Sequence, residues 1–489
     1  MVVCFGLMAL TLILGQSKGP RTAAWIGWAI ALVLAPAWMI KWVGPLSLDP
    51  RMSAAMVGIF LIATSGVPLK FRINLMDLFF VGFFFTVIAS QQSNNDLTAG
   101  TICVFVRRWV FPYAIGRILL STRGDLEKLT PILAKFLLIC SCMAIVEAIT
   151  QRNWMNFALG KSFYILDQTS EGFRWGIKRA HGCTEHPIYF GLMLVMLFPF
   201  AIEAGRSAFR KAMPRWLLLS PLLTFAAIVV TVSRGAQIAS VICLAIQFFF
   251  RSPKLRVLLI ILAIGLGLGK DVVQDKAMEV LSKAAGEKED DETWVLINGK
   301  EYLYTGTRHR MLLFTAYEQG IENTGMLGYG TALKDVPVYE DARLRFNSID
   351  CHYLVLLLQH GWCGIFVFCG MLGVSIVYSG LAAWRKTEWC APVCGAMCGA
   401  MIAVGVLMFS VFFHPHYGSV FMFACGFLAN VHQLRKDPEE AAKEKLAAKN
   451  EGMLDAESNW NVDSESLPSR FQTKKKGRRI RPGHAPIRQ

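Results

Sequence analysis

Apolar runs of about 17–25 residues, the length at which a helix crosses the roughly 30 Å hydrocarbon core of a bilayer, recur along this 489-residue chain from end to end. Inside lipid every backbone N–H and C=O must find its partner within the protein, which makes the helix the natural spanning element. Composition agrees. Hydrophobic residues make up 54% of the chain and charged residues 17%, against about 25% charged in an ordinary soluble domain. Soluble folds and open sheets are excluded, and the fold class is an all-α polytopic membrane protein.

The runs fall at 2–15, 22–43, 52–69, 73–90, 101–120, 129–149, 186–203, 213–232, 235–250, 256–270, 352–381, 390–412 and 416–431, giving 12 to 13 transmembrane helices. The short first run and the long 352–381 run are the least regular. Loops then alternate in charge. "QSKGPR", "KFR", "STRGDLEK", "EAGRSAFRKAMPR", "RSPKLR", "WRKTE" and the tail from His432 are basic and share one side. "GPLSLDP", "QQSNNDLTAG", residues 150–185 and the large 271–351 loop share the other. Lys and Arg in short loops face the cytoplasm, so the large loop is external and the C-terminus cytoplasmic. The chain therefore divides into transmembrane helices over 1–270, a large external loop over 271–351, transmembrane helices over 352–432 and a basic tail over 433–489.

Residues 1–15 lack a basic segment before the apolar run, and Lys18 and Arg21 follow it. That order favours an uncleaved span with its N-terminus outside over a cleaved signal peptide. The run is short, and a native start upstream stays open.

The formal charge of +15 does not require nucleic acid. Much of it lies in the cytoplasmic loops and in "KKKGRRIRPGHAPIR", where an anionic leaflet is the ready partner. The tail is expected to be polar and disordered, with "EEAAKEKLAAK" as a solvated helix. The 13 cysteines lie mostly in spans. Cys390, Cys394 and Cys398 stand at i, i+4, i+8. The spacing suits a metal stripe, but small residues at a helix interface in lipid account for it better. Cys183 and Cys351 sit at the outer rim, where a disulfide is conceivable and sequence cannot fix a pairing.

The external loop has internal order. Residues 271–285 read as helix, and "TWVLINGKEYLY" over 293–304 as a hairpin turning on Asn298-Gly299, a dipeptide suited to a type I′ turn. A helix is expected over 307–321, with Arg310, Phe314, Tyr317 and Ile321 on one face. The glycines of "NTGMLGYG" supply positive-φ positions that end it. The loop is thus a small folded lid.

Charged and imidazole groups collect on the outer side. "FRWGIKRAHGCTEHPIYFG" supplies Arg174, Arg179, His181, Glu185 and His186, and "TVSRGAQ" supplies Arg234. The loop adds Arg308 and Arg310, His352 opens a span, and "FFHPHYG" places His414 and His416 between the last two spans. Arg107 and Arg108 lie inside the fifth span and Glu147 near the outer end of the sixth. Rim arginines can snorkel to lipid phosphates, but charges within a span usually face a bundle interior or cavity. Several outward arginines run against the positive-inside trend and together call for an anionic partner. Diphosphate fits, because guanidinium offers a planar fork of donors.

"SRGA" at 233–236, "R-x-x-G-x-x-x-HP" at 179–187, the run from Arg310 through an aromatic to Gly330, and "H-Y-L … G-x-x-G" from His352 to Gly364 together resemble the O-antigen ligase and polymerase superfamily. The resemblance covers about residues 100–430, with motif order and side in agreement. Each motif alone is weak. The sequence departs from the family pattern at Tyr353 and Ile188, where members commonly carry Asn, and at Phe314, where Trp is usual.

The resemblance implies a C-type membrane glycosyltransferase of the bacterial inner membrane with its large loop in the periplasm. Its donor would be an undecaprenyl-diphosphate-linked glycan and its acceptor a glycan or lipid. O-antigen or exopolysaccharide assembly is the implied setting. By position, Arg310 and His352 match the family's lid arginine and catalytic-loop histidine, and Arg179 and Arg234 its other outer-rim arginines.

The residue chemistry fits such a transfer. Charge developing on a leaving diphosphate needs fixed cations in a water-poor site, and an acceptor hydroxyl needs a base such as histidine. His352 is expected to activate the acceptor, and Arg310 and Arg234 to hold the diphosphate. Arg179, Arg308, Arg107 and Arg108 reinforce them, supported by His186, His414, His416 and Glu147. No carboxylate pair of the metal-dependent kind stands out on the outer face, so the reaction is expected to be metal-independent, inverting and free of cofactors. Two rivals remain. A transporter of the same lipid-linked glycans would also want an arginine-lined cavity, but no internal repeat is visible. A structural or sensory role leaves the outer arginines unexplained.

Overall fold

A computed structural model describes residues 2–36, 38–43, 46–65, 72–120, 123–158, 172–174, 176–268, 293–304, 308–333, 335–343, 345, 346, 348–385 and 390–434. The helix expected over 271–285 and the polar tail from residue 435 lie outside these residues. The fold below belongs to the unit 1–436.

Helices form at each of the apolar runs, with the correction that the run expected over 22–43 is helical only to Val33 and gives a strand at Lys41–Val43. In chain order they are α1 (Val2–Lys18), α2 (Pro20–Val33), α3 (Pro50–Thr64), α4 (Leu75–Ser93), α5 (Ala99–Phe105), α6 (Phe111–Leu119), α7 (Arg123–Thr150), the short α8 (Trp154–Ala158), α9 (Pro187–Phe209), α10 (Leu219–Val230), α11 (Arg234–Arg251) and α12 (Pro253–Leu268). The large loop carries α13 (His309–Ala316) and α14 (Glu318–Glu322), and α15 (His352–Trp384), α16 (Ala391–Leu407) and α17 (Pro415–Leu434) follow. Among the described residues, Leu75–Ser93, Gly124–Thr150, Pro187–Phe209 and His352–Trp384 are long and apolar enough to cross a membrane, and shorter apolar helices accompany them. The molecule is mostly helical, as a membrane protein of helical bundle type requires.

Caps set several boundaries. The Asp49 carboxylate accepts from Met52 N at 2.7 Å to start α3. Asn74 with Asp77, and Thr98 with Thr101, form capping boxes at α4 and α5, each satisfying N–H groups that a helix start leaves orphaned. Close packing is achieved with small residues. Gly116 of α6 and Gly426 of α17 bring backbones together, because a Cβ on either would stand 2.1 or 2.2 Å from a carbonyl oxygen of the other helix. In lipid, where apolar burial gives little net drive, such close approach is a main source of helix association. The cysteines behave alike: Cys394 and Cys398 are buried on α16, and Cys183 donates to Val33 O and forms no disulfide with Cys351.

Two ends of the bundle are distinguishable by their locks. At one, Arg117 of α6 donates to both oxygens of Asp77 (3.1 and 3.0 Å) and to Arg72 O (2.7 Å), with Asn430 against it, while Arg21 pairs with Asp125 at 3.1 Å. At the other, His352 N donates to Met408 O (2.8 Å), Ser90 Oγ to Gln359 O (2.6 Å) and Ala180 N to Val230 O (3.0 Å). The starts of α9, α11 and α15 therefore gather with the ends of α4, α10 and α16.

Among the described residues there are also three two-stranded hairpins. They are β1–β2 (Lys41–Val43 with Leu46–Leu48), β3–β4 (Phe173–Arg174 with Ile177–Lys178) and β5–β6 (Thr293–Ile297 with Lys300–Tyr304). The last turns on Asn298 (φ 52) and Gly299 (φ 70), the two positive φ values of a type I′ turn. The loop has its own core, in which Val295, Ile297, Leu313, Tyr317 and Phe346 pack with Leu354 and Leu358 of α15. It is a folded lid, with one correction. The expected helix over 307–321 breaks at Tyr317, and Phe314 is 40% exposed while Tyr317 is 7% exposed, so they do not share a buried face. Leu312, Leu313 and Ala316 take the inner side instead.

Two spans depart from simple helices. Val106–Val110 forms a π-helical turn between α5 and α6, carrying Arg107 and Arg108. In α15, Gly361 has φ 64 and ψ −164, a region only glycine enters at low cost. The Gly325–Gly330 turn of the loop fills that break. Tyr329 N and Gly330 N donate to Leu358 O (2.7 Å) and Gln359 O (3.1 Å), and Trp362 N and Cys363 N donate to Gly325 O (3.3 Å) and Met326 O (3.2 Å). Broken backbone at membrane depth is tolerable only when protein satisfies it, and here the lid does so.

Candidate functional site

Beside the Gly361 break lies a cavity of about 340 Å³. Its walls are mainly apolar, from Phe83, Phe105, Trp109, Phe412 and Phe413, and its polar groups include Arg108, His352, His360, Gln91, Gln359 and Thr331. α4 and the π turn supply one side, α15 the other, and the lid closes it through Thr331, which accepts from Gln91 Nε2 at 2.8 Å.

The polar atoms here stand out. His352 is buried, stacked on Phe413 with centroids 4.8 Å apart, and neither of its ring nitrogens has a hydrogen-bond partner among the described residues. The same holds for His360 Nδ1 and Arg108 Nε. Buried polar groups are nearly always paired, so each exception needs a reason. A bound polar ligand supplies one.

Behind Arg108 lies a charged cluster. Arg107 Nε stands 3.9 Å and Arg51 Nε 3.7 Å from Asp49 Oδ2, a single buried carboxylate facing two buried guanidiniums. Widening the helix by a π turn seats these neighbouring arginines within the bundle, and π turns are frequent at functional sites.

A second group borders the first. His414 Nε2 stands 3.3 Å from Glu185 Oε2 and its ring stacks on Tyr189 at 4.2 Å, while Glu185 lies within electrostatic reach of Arg108. Burial pushes the His414 pKa below its usual value, although Glu185 pulls the other way. His186 caps α9, its Nδ1 accepting from Ile188 N at 3.1 Å. Glu147 is committed to the backbone N–H groups of His181 (3.3 Å) and Gly182 (3.0 Å). Arg179 Nε donates to Thr231 O (3.3 Å), and Arg174 to Val232 O (3.3 Å). Those carbonyls belong to the turn before Arg234, where Val232 has φ 48, a strained value for a β-branched residue. Arg174 and Arg234 are electrostatic neighbours there.

Of the residues singled out from sequence, the cavity brings together His352 and Arg108, with Arg107 directly behind. Arg179, Arg234, His186, Glu147 and His414 form the neighbouring rim. Arg310 and Arg308 sit on the lid outside the cavity wall. Arg310 is half-buried, its Nε has no hydrogen-bond partner among the described residues, and Arg308 is exposed. The side chain of His416 lies outside the described residues. Burial also lowers the pKa of His309 beside Arg310, against the pull of Asp350.

Sequence reasoning passed over His360, Gln91, Gln359, Asp49 and Arg51. His360 follows His352 by eight residues, a spacing that shares a helix face, so the pair was findable. Asp49 and Arg51 read as an ordinary loop end, and only the fold carries them to Arg107. No protein-family model matches the chain, and no curated protein matches it.

Proposed function

We propose that this chain is an O-antigen ligase- or polymerase-like glycosyltransferase of the bacterial inner membrane. On this reading 12 to 13 helices span the membrane in a C-type arrangement, with the lid in the periplasm and the C-terminus in the cytoplasm. The chain transfers or polymerises undecaprenyl-diphosphate-linked glycan onto a glycan or lipid acceptor. The observation that carries it is the unpartnered His352–Arg108 pair in an apolar slot beneath a folded lid. Such a slot suits a ligand that is part lipid, part anion and part sugar.

In the transfer, the bond from sugar C1 to the diphosphate oxygen breaks and its electron pair leaves with the diphosphate. Arg108, backed by Arg107 and Arg51, meets that charge, and Arg310 and Arg234 approach from the lid and rim. Fixed cations aimed at developing charge are commonly the largest catalytic contribution. A ring nitrogen of His352 takes the proton of the attacking acceptor hydroxyl, whose oxygen forms the new bond to C1 from the opposite side, inverting the centre. Neither step calls on a metal ion, a cofactor or nucleic acid. Transport of the same lipid without transfer is the second reading, since an arginine-lined cavity suits both.

Deletion of the gene with analysis of surface glycans separates them. Transfer predicts loss of long chains with single repeats persisting, or unattached lipid-linked polymer. His352→Ala and Arg108→Ala, inserted normally, reproduce that loss by at least about 100-fold, a typical contribution for a general base or a charge-stabilising group. Wild-type glycans from both variants would sink the assignment. Lipid-linked repeats stranded on the cytoplasmic side would favour transport.

A further inference from the structure

At the opposite end of the bundle is a second, separate cavity of about 260 Å³ lined by Arg206, Arg210, Gln247, Phe250, Arg251, Ala391, Pro392 and Gly395. The helices that meet there reach the candidate site at their other ends: α9 starts at Pro187 and carries Arg206 near its end, α11 runs from Arg234 to Arg251, and α16 ends at its C-cap Met408, the partner of His352 N. Among the described residues three arginines gather near one carboxylate, Glu203, which accepts from Arg206 at 3.2 Å and from Ser207 at 3.2 Å. Arg251 lies within electrostatic reach of Arg206, Arg210 and Glu203.

Two further features border the same space. Gln247 is 3% exposed, and its amide Nε2 has no hydrogen-bond partner among the described residues. α16 also begins here, 17 residues long, with no side chain among the described residues capping its first turn and with Pro392 at its start. A helix N-terminus carries partial positive charge and free N–H groups, a ready anion seat. Gathering like charges at one point costs free energy unless something neutralises them, and an amide buried without a partner costs more.

We propose that this cavity is a binding site for a phosphate-centred anion, independent of the glycan-transfer reading and on the other face of the bundle. The three guanidiniums and the α16 N-terminus hold the anionic oxygens, and Gln247 Nε2 donates to one of them. A phospholipid headgroup presents this chemistry with its tails along Phe250, and free phosphate presents it alone.

The full chain in a zwitterionic detergent tests this by thermal unfolding. It is titrated with short-chain phosphatidylglycerol, short-chain phosphatidylcholine, or inorganic phosphate at constant ionic strength. A saturable rise with phosphatidylglycerol alone identifies a lipid headgroup, and a rise with phosphate as well identifies a soluble anion. Gln247→Leu should weaken the apparent affinity about tenfold, the effect of one hydrogen bond to a charged group, and Arg251→Gln should weaken it further. Gln247→Glu keeps the shape and places a carboxylate among the arginines. It should fold at least as well as wild type and lose the response. An equal response in wild type and all three variants, a response as large with phosphatidylcholine, or no response at all would overturn the proposal.

Discussion

Replacing Gly361 with alanine should unlock the lid from the bundle. A Cβ there would stand 2.3 Å from Met326 C, 2.4 Å from Met326 O and 2.5 Å from Leu327 N, all backbone atoms. These cannot rotate aside as a side-chain tip would, so the turn must retreat by roughly 1 Å to reach ordinary contact. That distance breaks hydrogen bonds now at 2.7, 3.1, 3.2 and 3.3 Å. At about 0.5–1.5 kcal/mol net each, with about 1–3 kcal/mol for alanine at this φ and ψ, the lower bounds alone weaken docking by at least ~3 kcal/mol. Amide exchange at Tyr329 and Gly330 in the detergent-solubilised protein should then accelerate about 100-fold. Transfer should fall with it, because Thr331 and Gln359 lose their places in the cavity. Gly373→Ala, on the same helix with nothing within 4 Å of its Cβ, is the control and should change neither. Undiminished protection at Tyr329 and Gly330 in Gly361→Ala would refute the view that this break is where the lid is fastened.

Three further outcomes follow from the same geometry. Arg117→Leu removes the guanidinium that links Asp77, Arg72 O and Asn430, leaving the Asp77 carboxylate its bonds from Tyr113 and Asn74 but no neutralising cation. A loss of about 3–5 kcal/mol is expected, read as a fall in unfolding midpoint that Asp77→Asn in the same chain partly restores. Arg108→Lys keeps the charge but not the planar fork, and should lower transfer at least about tenfold with unfolding unchanged. Because His414 has a depressed pKa in the fold, the unfolded chain takes up its proton first as pH drops. Stability is therefore full above about pH 6.5 and declines below it toward the folded value. Unfolding midpoints at pH 7.5 and 5.5 check this, and His414→Gln should narrow the gap between them.

The membrane character of the chain, the positions of its helices and the type I′ turn at Asn298-Gly299 were all legible in the residues. Each is a local property: run length, capping side chains and a dipeptide suited to positive φ act over a few positions and leave their mark in order. The lid's glycines were legible as turn formers too, but their purpose was not. That Gly325 to Gly330 mend a break in a helix thirty residues later depends on two backbones meeting in space. The candidate site divides in the same way. His352 and Arg107–Arg108 were visible because charged and imidazole groups are costly in an apolar run and so conspicuous there. His360 and Gln359 were passed over inside the apolar run 352–381, although His360 lies eight residues after His352, and Asp49 and Arg51 read as an ordinary loop end. Sequence decided which segments form helices apolar enough for a membrane, because that depends on local run length and composition. Tertiary structure decided which polar groups face one another, because that depends on helix rotation, a π turn and a kink, none of which a linear pattern specifies.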